Sequence, residues 1–457
     1  MTEQNDEGTI EQNGIADQSK RSDDCITVVL TADNHLGYTA FGQQAQKREE
    51  QQQRLRRAFQ QAADFAIGQG VDLFVQAGDL FDTTTPHELD RSFVAARLAQ
   101  LHHAGVRVFA LGGTHDTPTE AHSWLGETTP APQISYDHLG VMHYFAPDAT
   151  ELAPVLFTVR EMLVGICGLG VLAGQEGNPF TRMHVQDDIE RATIPLLVLH
   201  APIEGLSAGT SLLDTRAQVS RASIENQTTF RYILAGYQHS YRHLRIGSCE
   251  VVIAGATQHI DFANPAEEPG FVFLGLAADG VRWCEHISVD ALALERLVIR
   301  TNELWSRTSA VDQPDTSHDL VILSRSEEST YGTSDKNSPT ETILERLRPL
   351  CNKQSMVQLR LEGELMRGQY HQLDLNQIRR YGAEQCFSLV IDDSGLEILP
   401  EQASNVLETG ERFSPREELI ILADEWIAAA NNEQEKKALH ITKEELLTAM
   451  DEVKSRR

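Results

Sequence analysis

The stretch that decides the fold is ITVVLTADNHLG (residues 26–37), an apolar, β-branched run that ends in the polar triplet DNH. A short run of this kind, bounded by polar residues, predicts a buried strand. The stretch VDLFVQAGDLFD (71–82) repeats the arrangement, because a second apolar run leads into the cluster GDLFD. Each predicted strand therefore carries carboxylate or imidazole side chains into the loop that follows it.

Three further apolar runs end in the same way. The run VRVFAL leads into GGTHD (112–116), IPLLVLH ends at His200, and YILAG leads into YQH (237–239). Strands that alternate with helical stretches, here near 43–68 and 87–103, indicate α/β layers. In open α/β sheets, sites form beyond the carboxyl ends of the strands, so we expect the five polar clusters to converge there.

The residue types in these clusters favour a metal site. Carboxylate oxygen and imidazole nitrogen suit Mn²⁺, Fe²⁺ or Zn²⁺. A shared carboxylate can hold two cations ~3.5–4 Å apart, where they clamp the attacking and leaving oxygens of a phosphoryl displacement. One Asp-x-His triplet or one Gly-Asp pair is a weak signal. The ordered set of five clusters, each at a strand end, is a strong one.

The order DNHLG, GDLFD, GTHD, a lone His and GYQH resembles the calcineurin-like metallophosphoesterases, and most of all their DNA double-strand-break nuclease branch, the SbcD-type subunit. Residues 255–276 are similar to the segment that follows the last histidine in that branch, and 359–365 and 373–380 resemble its cap. The resemblance implies an α/β metallophosphoesterase core of two β-sheets flanked by helices, a smaller α+β cap domain and a C-terminal helical segment.

The resemblance also implies a role for each site residue. The implied metal ligands are Asp33, His35, Asp79, His200 and His239. Asp79 would bridge two ions and His200 would serve the second. His115 would be the catalytic histidine, protonating the leaving 3′-oxygen or stabilising charge there, and Asp116 would orient its imidazole. Asp82 fits the bacterial form of the second motif, and it could equally be a structural capping residue.

Two positions depart from the family pattern. The family has Asn-His-Asp where this chain has Thr114-His115-Asp116, and Gly-His-x-His where it has Gly236-Tyr237-Gln238-His239. Both replaced residues serve the second metal in the family. Three outcomes remain open: a weak second metal completed by substrate phosphate, a one-metal site, or a degenerate DNA-end-binding subunit.

Composition and charge limit the alternatives. The chain has 457 residues, 41% of them apolar, and a formal charge of −28, which gives no support for nucleic-acid binding at long range. The sequence shows neither a run of 18 apolar residues nor a secretory signal, so we expect no membrane span and a cytoplasmic protein. Six scattered cysteines without a CxxC motif favour reduced thiols over a disulfide framework.

Composition shifts predict four regions. These are a disordered acidic tail (1–24), an α/β domain (25–286), a smaller α+β domain (287–400) and a helical segment (401–457); the resemblance implies that the last three are the nuclease domain, a cap for DNA recognition and a partner-binding segment. The later apolar runs of the nuclease domain lie close together, which predicts hairpins. In the cap, DLVILS (319–324) reads as one of the strands. Capping boxes at 414–417 and 442–445 open two predicted amphipathic helices, which either pack on their own domain or bind a partner through Trp426 and Ile427.

The resulting hypothesis is a Mn²⁺-dependent DNA nuclease, a 3′–5′ exonuclease with endonuclease activity left open, for which Mg²⁺, Fe²⁺ and Zn²⁺ are alternative ions. The resemblance implies DNA ends and single-stranded DNA as ligands, an SbcC-type ATPase bound by the C-terminal helices, and a homodimer. Alternatives are an impaired DNA-end-binding scaffold and a phosphatase for small phosphoesters. Candidate DNA contacts are Arg242, His243, Arg245, Arg346, Arg348, Arg379 and Arg380.

Overall fold

The structure is a computed structural model whose chain divides into two compact units, Met1–Leu399 and Pro400–Arg457. The described residues are 24–41, 44–119, 129–206, 217–260, 268–305, 338–399 and ten single positions between 420 and 447. Most of the predicted acidic tail, the predicted strand 319–324, the capping box 414–417 and Trp426 lie outside these residues. The described positions of the second unit, Ile427 among them, are helical, in agreement with the prediction for that segment.

Seventeen strands and eight α-helices are described. The strands are β1 (Cys25–Thr31), β2 (Leu73–Ala77), β3 (Arg107–Leu111), β4 (His143–Phe145), β5 (Glu151–Leu152), β6 (Val155–Val159), β7 (Met162–Gly170), β8 (His184–Val185), β9 (Ile194–His200), β10 (Tyr232–Gly236), β11 (Arg242–Ile246), β12 (Cys249–Ile253), β13 (Gly270–Ala277), β14 (Gly280–Ser288), β15 (Ala293–Arg300), β16 (Ser355–Met366) and β17 (Ser388–Leu399). The helices are α1 (Ala45–Gln69), α2 (Glu88–His103), α3 (Ile134–His138), α4 (Arg221–Asn226), α5 (Thr301–Leu304), α6 (Pro339–Leu347), α7 (Arg367–His371) and α8 (Leu375–Gln385).

Two six-stranded sheets form the part of the molecule that we call the core (residues 24–288). The first has the order β14-β13-β1-β2-β3-β4, and the second has the order β11-β12-β10-β9-β7-β6. Strands β1 to β4 run parallel, as do β7, β9, β10 and β12. The hairpins predicted for the later half are present as β6–β7, β11–β12 and β13–β14, but β9, β10 and β12 are parallel strands instead.

The buried runs of the sequence explain why the sheets pack as they do. Every residue of β1 and β2 is buried, as expected for strands covered on both faces. One face of these strands meets the second sheet in an apolar layer that includes Val28, Leu30 and Leu196. The other face meets α1, whose apolar residues recur at helical spacing and include Leu55 and Phe59.

A third sheet, with the parallel order β15-β16-β17, forms what we call the cap (residues 293–399). The helices α5 to α8 pack on one of its faces around a separate apolar cluster that includes Ile343, Leu359 and Ile378. A small cluster, in which the ring of Phe41 meets that of Phe387 at 5.3 Å, joins the cap to the core. The layered α/β core and the smaller α+β cap agree with the predicted fold class.

One cysteine pair contradicts the expectation of reduced thiols. Cys351 and Cys386 form a disulfide within the cap, with their Cα atoms 4.9 Å apart. A sequence separation of 35 residues and the lack of a CxxC motif gave no sign of this pairing, which arises because the ends of α6 and α8 meet. The other four cysteines are free, as predicted.

Among the described residues, no helix combines the length and the apolar character that a bilayer span requires.

Candidate metal centre

Two neighbouring loops of the first sheet build one side of the site. Asp33 and His35 follow β1, and Asp79 follows β2. The backbone N–H groups of Asp33 and His35 donate to the carbonyl oxygens of Gly78 and Asp79 at 3.0 and 3.1 Å. These bonds continue the pairing of β1 with β2 beyond the strand ends, so the two loops hold their side chains in one fixed relation.

Four side chains of the site stand on strained backbone. Asp33, His35, Asp79 and Tyr237 have φ angles of 47°, 44°, 52° and 80°, in the left-handed region. Non-glycine residues rarely adopt such angles, and they persist only where the surrounding structure holds them. The chain turns sharply at each of these positions, which lie at the strand ends where the site is formed.

The structure brings six of the seven predicted site residues together. Their possible ligand atoms form three overlapping groups, in each of which the atoms lie within 4.8 Å of one another. The groups are Asp33 with His35 and His239, His35 with Asp79 and His115, and Asp33 with Asp79 and His200. The second sheet supplies His200 and His239, from the ends of β9 and β10, so the site spans both sheets.

Two buried imidazoles present a nitrogen to this cluster. The Nδ1 of His200 donates to the carbonyl oxygen of Ala77 at 2.8 Å, and the Nδ1 of His35 is 3.1 Å from a carboxylate oxygen of Asp82. When Nδ1 is the donor, the lone pair of the neutral ring lies on Nε2. Both Nε2 atoms are buried; that of His200 lies 3.2 Å from the Oδ2 atom of Asp79, and that of His35 has no hydrogen-bond partner among the described residues.

Unpaired buried polar atoms are rare and call for an explanation such as a bound ion. Here the unpaired Nε2 atom of His35 lies close to the buried carboxylates of Asp33 and Asp79, and the Nε2 atom of His200 lies 3.2 Å from Asp79 Oδ2. Oxygen and nitrogen donors of this kind are the ligands of Mn²⁺, Fe²⁺ and Zn²⁺. The residues present therefore fit the divalent metal that the fold family uses.

The charges of the cluster are strongly coupled. Burial disfavours the charged imidazole of His200, but Asp79 and then Asp33 outweigh it and raise its pKa to about 9. Burial opposes ionisation of Asp79 as well, yet His200 holds the pKa of that carboxyl well below its usual range. Burial raises the pKa of Asp33, because the surrounding histidines offset it only in part. The carboxylates and imidazoles of the cluster therefore shift one another's pKa values.

His115 lies at the open side of the cluster. Its side chain is 51% exposed, its ring meets the ring of His35 edge-on at 4.7 Å, and its backbone N–H donates to Asp79 at 2.8 Å. Its Nδ1 is 3.7 Å from the Asp82 carboxylate. Asp82 thus faces both His35 and His115, which makes it a positioning residue for two imidazoles. The sequence motif named this residue, but the spacing left its role undecided.

The hydrogen bonds of Asp116 among the described residues go to partners other than His115, whose imidazole the resemblance expects it to orient. The fully buried carboxylate of Asp116 accepts hydrogen bonds from the backbone N–H groups of Gly113 (2.8 Å) and Phe81 (3.1 Å) and from the side-chain amide of Gln133. Burial raises its pKa to about 7, and the charge of Asp79 acts in the same direction. The described contacts hold two catalytic loops together. No motif in the sequence pointed to Gln133.

Two glycines allow the loops to approach closely. A Cβ at Gly113 would lie 2.1 Å from the Oδ1 atom of Asp79, and a Cβ at Gly78 would lie 2.0 Å from the Nδ1 atom of His200. Both distances are far shorter than any real contact, so only glycine lets the backbone pass the metal-binding side chains here.

The two residues that depart from the family pattern lie beside His200. The hydroxyl of Thr114 donates to the Oδ2 atom of Asp79 at 3.4 Å, and the ring of Tyr237 is 5.4 Å from that of His200. Both residues line a cavity of about 440 Å³, together with His115, Gln175 and Pro202 among others. The departure from the pattern therefore concerns one end of the cluster and the cavity next to it.

Most of the predicted DNA contacts are already paired. Arg245 lies 3.8 Å from Glu250, and Arg346 and Arg348 form ion pairs with Glu303 and Glu341. His243 is 3.3 Å from Glu250, Arg242 donates to the carbonyl oxygen of Tyr241, and Arg379 donates to Asn376. Among the described residues, Arg380 is exposed and has no such partner.

Comparison with known proteins agrees with the motifs. Residues 26–236 match the family of calcineurin-like phosphoesterases. The chain is similar to a DNA double-strand break repair protein Mre11 from Thermoplasma acidophilum, with 27% identity over 235 residues that cover 50% of this chain and 55% of that protein. A protein of the same name from Methanosarcina mazei is 30% identical over 293 residues, 63% of this chain and 40% of that protein.

The chain spans about half the length of the curated relatives it matches. Among solved structures, a dimetal phosphatase from Danio rerio covers 57% of this chain and 98% of its own, with 12% identity and a TM-score of 0.33. A TM-score this low adds nothing to the functional argument. The family match and the arrangement of the sheets confirm the predicted metallophosphoesterase core.

Proposed function

We propose that this calcineurin-like phosphoesterase is a metal-dependent DNA nuclease, a 3′–5′ exonuclease that hydrolyses phosphodiester bonds at DNA ends. The observation that carries the proposal is the cluster of six carboxylate and imidazole side chains at five strand ends, in which the buried Nε2 atom of His35 has no hydrogen-bond partner among the described residues. The similarity to Mre11 proteins, whose name describes double-strand break repair, supports DNA as the substrate.

In this proposal Asp33, His35, Asp79, His200 and His239 hold the metal, and Mn²⁺ is the ion we expect. Divalent ions bound here would supply activation of the attacking water and neutralisation of charge on the phosphate. His115 is the group that can transfer a proton, because its half-exposed ring is open to substrate while Asp79 fixes its backbone. Asp82 holds the rings of His35 and His115, and Asp116 fixes the loops that carry His115 and Asp79.

The test uses purified full-length protein, Mn²⁺ and linear duplex DNA labelled at one end. We expect release of nucleotides by the wild type and no release by Asp79→Ala, since Asp79 contributes to two of the three ligand groups. Asp188→Ala, at an exposed carboxylate paired with Arg191, is the matched control and should retain activity. Equal release by wild type and Asp79→Ala would point to a contaminant and refute the proposal.

The same assay with a chromogenic phosphodiester separates a nuclease from a phosphatase for small phosphoesters. A catalytically impaired DNA-end-binding subunit is the second candidate, favoured by Thr114 and Tyr237 beside His200. Binding of DNA ends with metal bound but without hydrolysis would support that candidate.

We further propose an SbcC-type ATPase as partner, bound by the C-terminal helical segment, a homodimer as the assembly, and the cytoplasm as the compartment. Deletion of residues 412–457 should abolish co-purification with the ATPase and leave nuclease activity on DNA ends unchanged. Unchanged association with the ATPase would remove the C-terminal segment from the proposal.

A further inference from the structure

The two ends of the metal cluster differ in the number of imidazole ligands that they offer. At one end, which we call the first position, the imidazoles of His35 and His239 lie near the carboxylate of Asp33, and His35 also lies near that of Asp79. At the other end, the second position, His200 lies near the same two carboxylates. The first position therefore has two imidazoles of its own, whereas the second position has one.

The shared carboxylates are also partly occupied by hydrogen bonds. The backbone N–H of Tyr237 donates to both oxygens of Asp33, at 3.2 and 3.0 Å. In Asp79, Oδ1 accepts from the backbone of His115 at 2.8 Å. Its Oδ2 atom, which faces the Nε2 of His200 at 3.2 Å, accepts from the Thr114 hydroxyl. The oxygen best placed for the second position thus already has a hydrogen-bond donor on it.

Among the described residues, the two side chains that replace the family's Asn and His do not make up the shortage. Thr114 and Tyr237 offer only hydroxyl oxygens. Neither matches the imidazole nitrogen or carboxylate oxygen that divalent transition metals prefer. Thr114 and Tyr237 instead line the cavity of about 440 Å³ that opens beside His200. This volume is large enough for a phosphate group and part of a nucleotide.

We propose that the two positions load in sequence. The first position binds one Mn²⁺ in the absence of substrate, and the second position fills only when a phosphate oxygen in the adjoining cavity supplies the missing ligand. The inference rests on the proposed function, because it concerns the metal positions at which that reaction would occur. Loss of outer partners alone weakens metal binding about 10–100-fold, so a shortage of direct ligands should separate the two affinities by at least tenfold.

The experiment measures bound metal and not turnover. Full-length protein is stripped with chelator, dialysed against MnCl₂ with or without inorganic phosphate, and analysed for manganese by plasma mass spectrometry and electron paramagnetic resonance. We expect one Mn²⁺ per chain with an isolated six-line spectrum, and two per chain with an exchange-coupled spectrum when phosphate is present. Two equally bound ions without phosphate, or one ion whether or not phosphate is added, would overturn the inference.

Variants assign the effect to particular residues. Thr114→Asn combined with Tyr237→His adds an amide oxygen and an imidazole next to His200, so it should bind two Mn²⁺ without phosphate. The matched control, Thr342→Asn with Tyr370→His, makes the same exchanges in the cap and should still bind one. If the first double variant also binds one ion while its circular dichroism is unchanged, Thr114 and Tyr237 are not the cause and the inference fails.

Two single variants separate the positions and guard against misfolding. His200→Gln should keep the phosphate-independent ion and lose the second, whereas His239→Gln should weaken the phosphate-independent ion. The opposite pattern would contradict the assignment of the positions. Failure of the proposed function has a different signature, because wild-type protein that binds manganese as described but releases no nucleotides from DNA refutes the nuclease and leaves the loading order intact.

Discussion

The metal cluster and the surface arginines differ in whether their polar atoms have partners within the protein. In the cluster, the Nε2 atom of His35 is buried without a hydrogen-bond partner among the described residues, and carboxylates and imidazoles are crowded together. On the surface, arginines that could contact DNA are engaged, Arg346 with Glu303 and Arg348 with Glu341. The contrast supports the proposal that phosphate binds at the metal centre. Away from that centre, the net charge of −28 repels a polyanion such as DNA.

The contrast has an energetic side as well. Exposed ion pairs contribute only about 0–1 kcal/mol each, so an arginine can exchange its carboxylate for a phosphate at small cost. Removing the partner of a buried donor atom costs much more free energy than removing an exposed ion pair. Substitutions at the metal cluster should therefore have large effects, and substitutions of surface arginines should have small ones. The four predictions that follow test this order.

The largest effect is expected from Gly113→Ala. The added Cβ would lie 2.1 Å from Asp79 Oδ1 and 2.3 Å from the Asp79 backbone nitrogen, so the carboxylate must move. We expect loss of Mn²⁺ binding and of DNA hydrolysis to the level of Asp79→Ala, measured by metal analysis and end-labelled DNA. Gly68→Ala is the control, because that glycine lies in α1 with nothing within 4 Å. Normal metal binding by Gly113→Ala would show that the site tolerates far more movement than its packing implies.

His115→Gln should reduce kcat about 10²–10⁴-fold, the usual contribution of a proton-transferring group. Because His115 is half-exposed at the open side of the cluster, we expect the manganese content and the melting temperature to stay near those of the wild type. Single-turnover assays with equal metal loading would measure the effect. A loss of metal that parallels the loss of rate would instead make His115 a ligand.

Asp82→Asn tests how much the hydrogen bond between a ligand imidazole and Asp82 contributes to metal affinity. The Asp82 carboxylate accepts from the Nδ1 of His35 at 3.1 Å, and such outer partners commonly contribute about 10–100-fold to metal affinity. Titration with Mn²⁺ should show a weakening in this range. Asp188→Asn, which removes an exposed charge far from any described ligand, should show no change. Equal affinities for Asp82→Asn and wild type would leave Asp82 as a structural residue.

The smallest effect concerns the arginines of the cap. Arg380 is exposed and has no ion pair among the described residues, so Arg380→Gln should reduce the slope of log affinity against log salt by ~0.9 if it contacts duplex phosphate. Arg346→Gln should reduce the slope less, because Glu303 competes for that guanidinium. Fluorescence anisotropy with His115→Gln protein, which should bind without rapid cleavage, provides the measurement. Equal slopes for both variants would erase the contrast between paired and unpaired arginines.

The sequence predicts the skeleton of the site because its signals are local. An apolar run followed by DNH, GDLFD or GTHD predicts both a strand and the polar loop that ends it, and parallel strands bring such loops to one edge. The bounds of β9 match the predicted run at both ends, and those of β1 differ by one residue. The parallel pairing of β10 with β9 and with β12 was missed, because the close spacing of the apolar runs suggested hairpins.

The contacts between side chains were predicted less well, since they depend on tertiary placement. Nothing in the spacing distinguished Asp82 from Asp116 as the carboxylate nearer to His115. Gln133 reaches Asp116 from a separate loop that carries no motif. The disulfide of the cap depends likewise on two helix ends that are distant in sequence.

The left-handed backbone at Asp33, His35, Asp79 and Tyr237 has a consequence for the evolution of this chain. Each such residue costs of order 1–3 kcal/mol, which is a sizeable share of the ~5–15 kcal/mol that keeps a typical domain folded. Substitution of these residues by glycine would relieve the backbone strain and raise the thermal stability. It would also remove the side chains that form the metal centre. Selection for thermal stability alone would therefore favour loss of these turns, so their presence in this chain supports a functional role for the site.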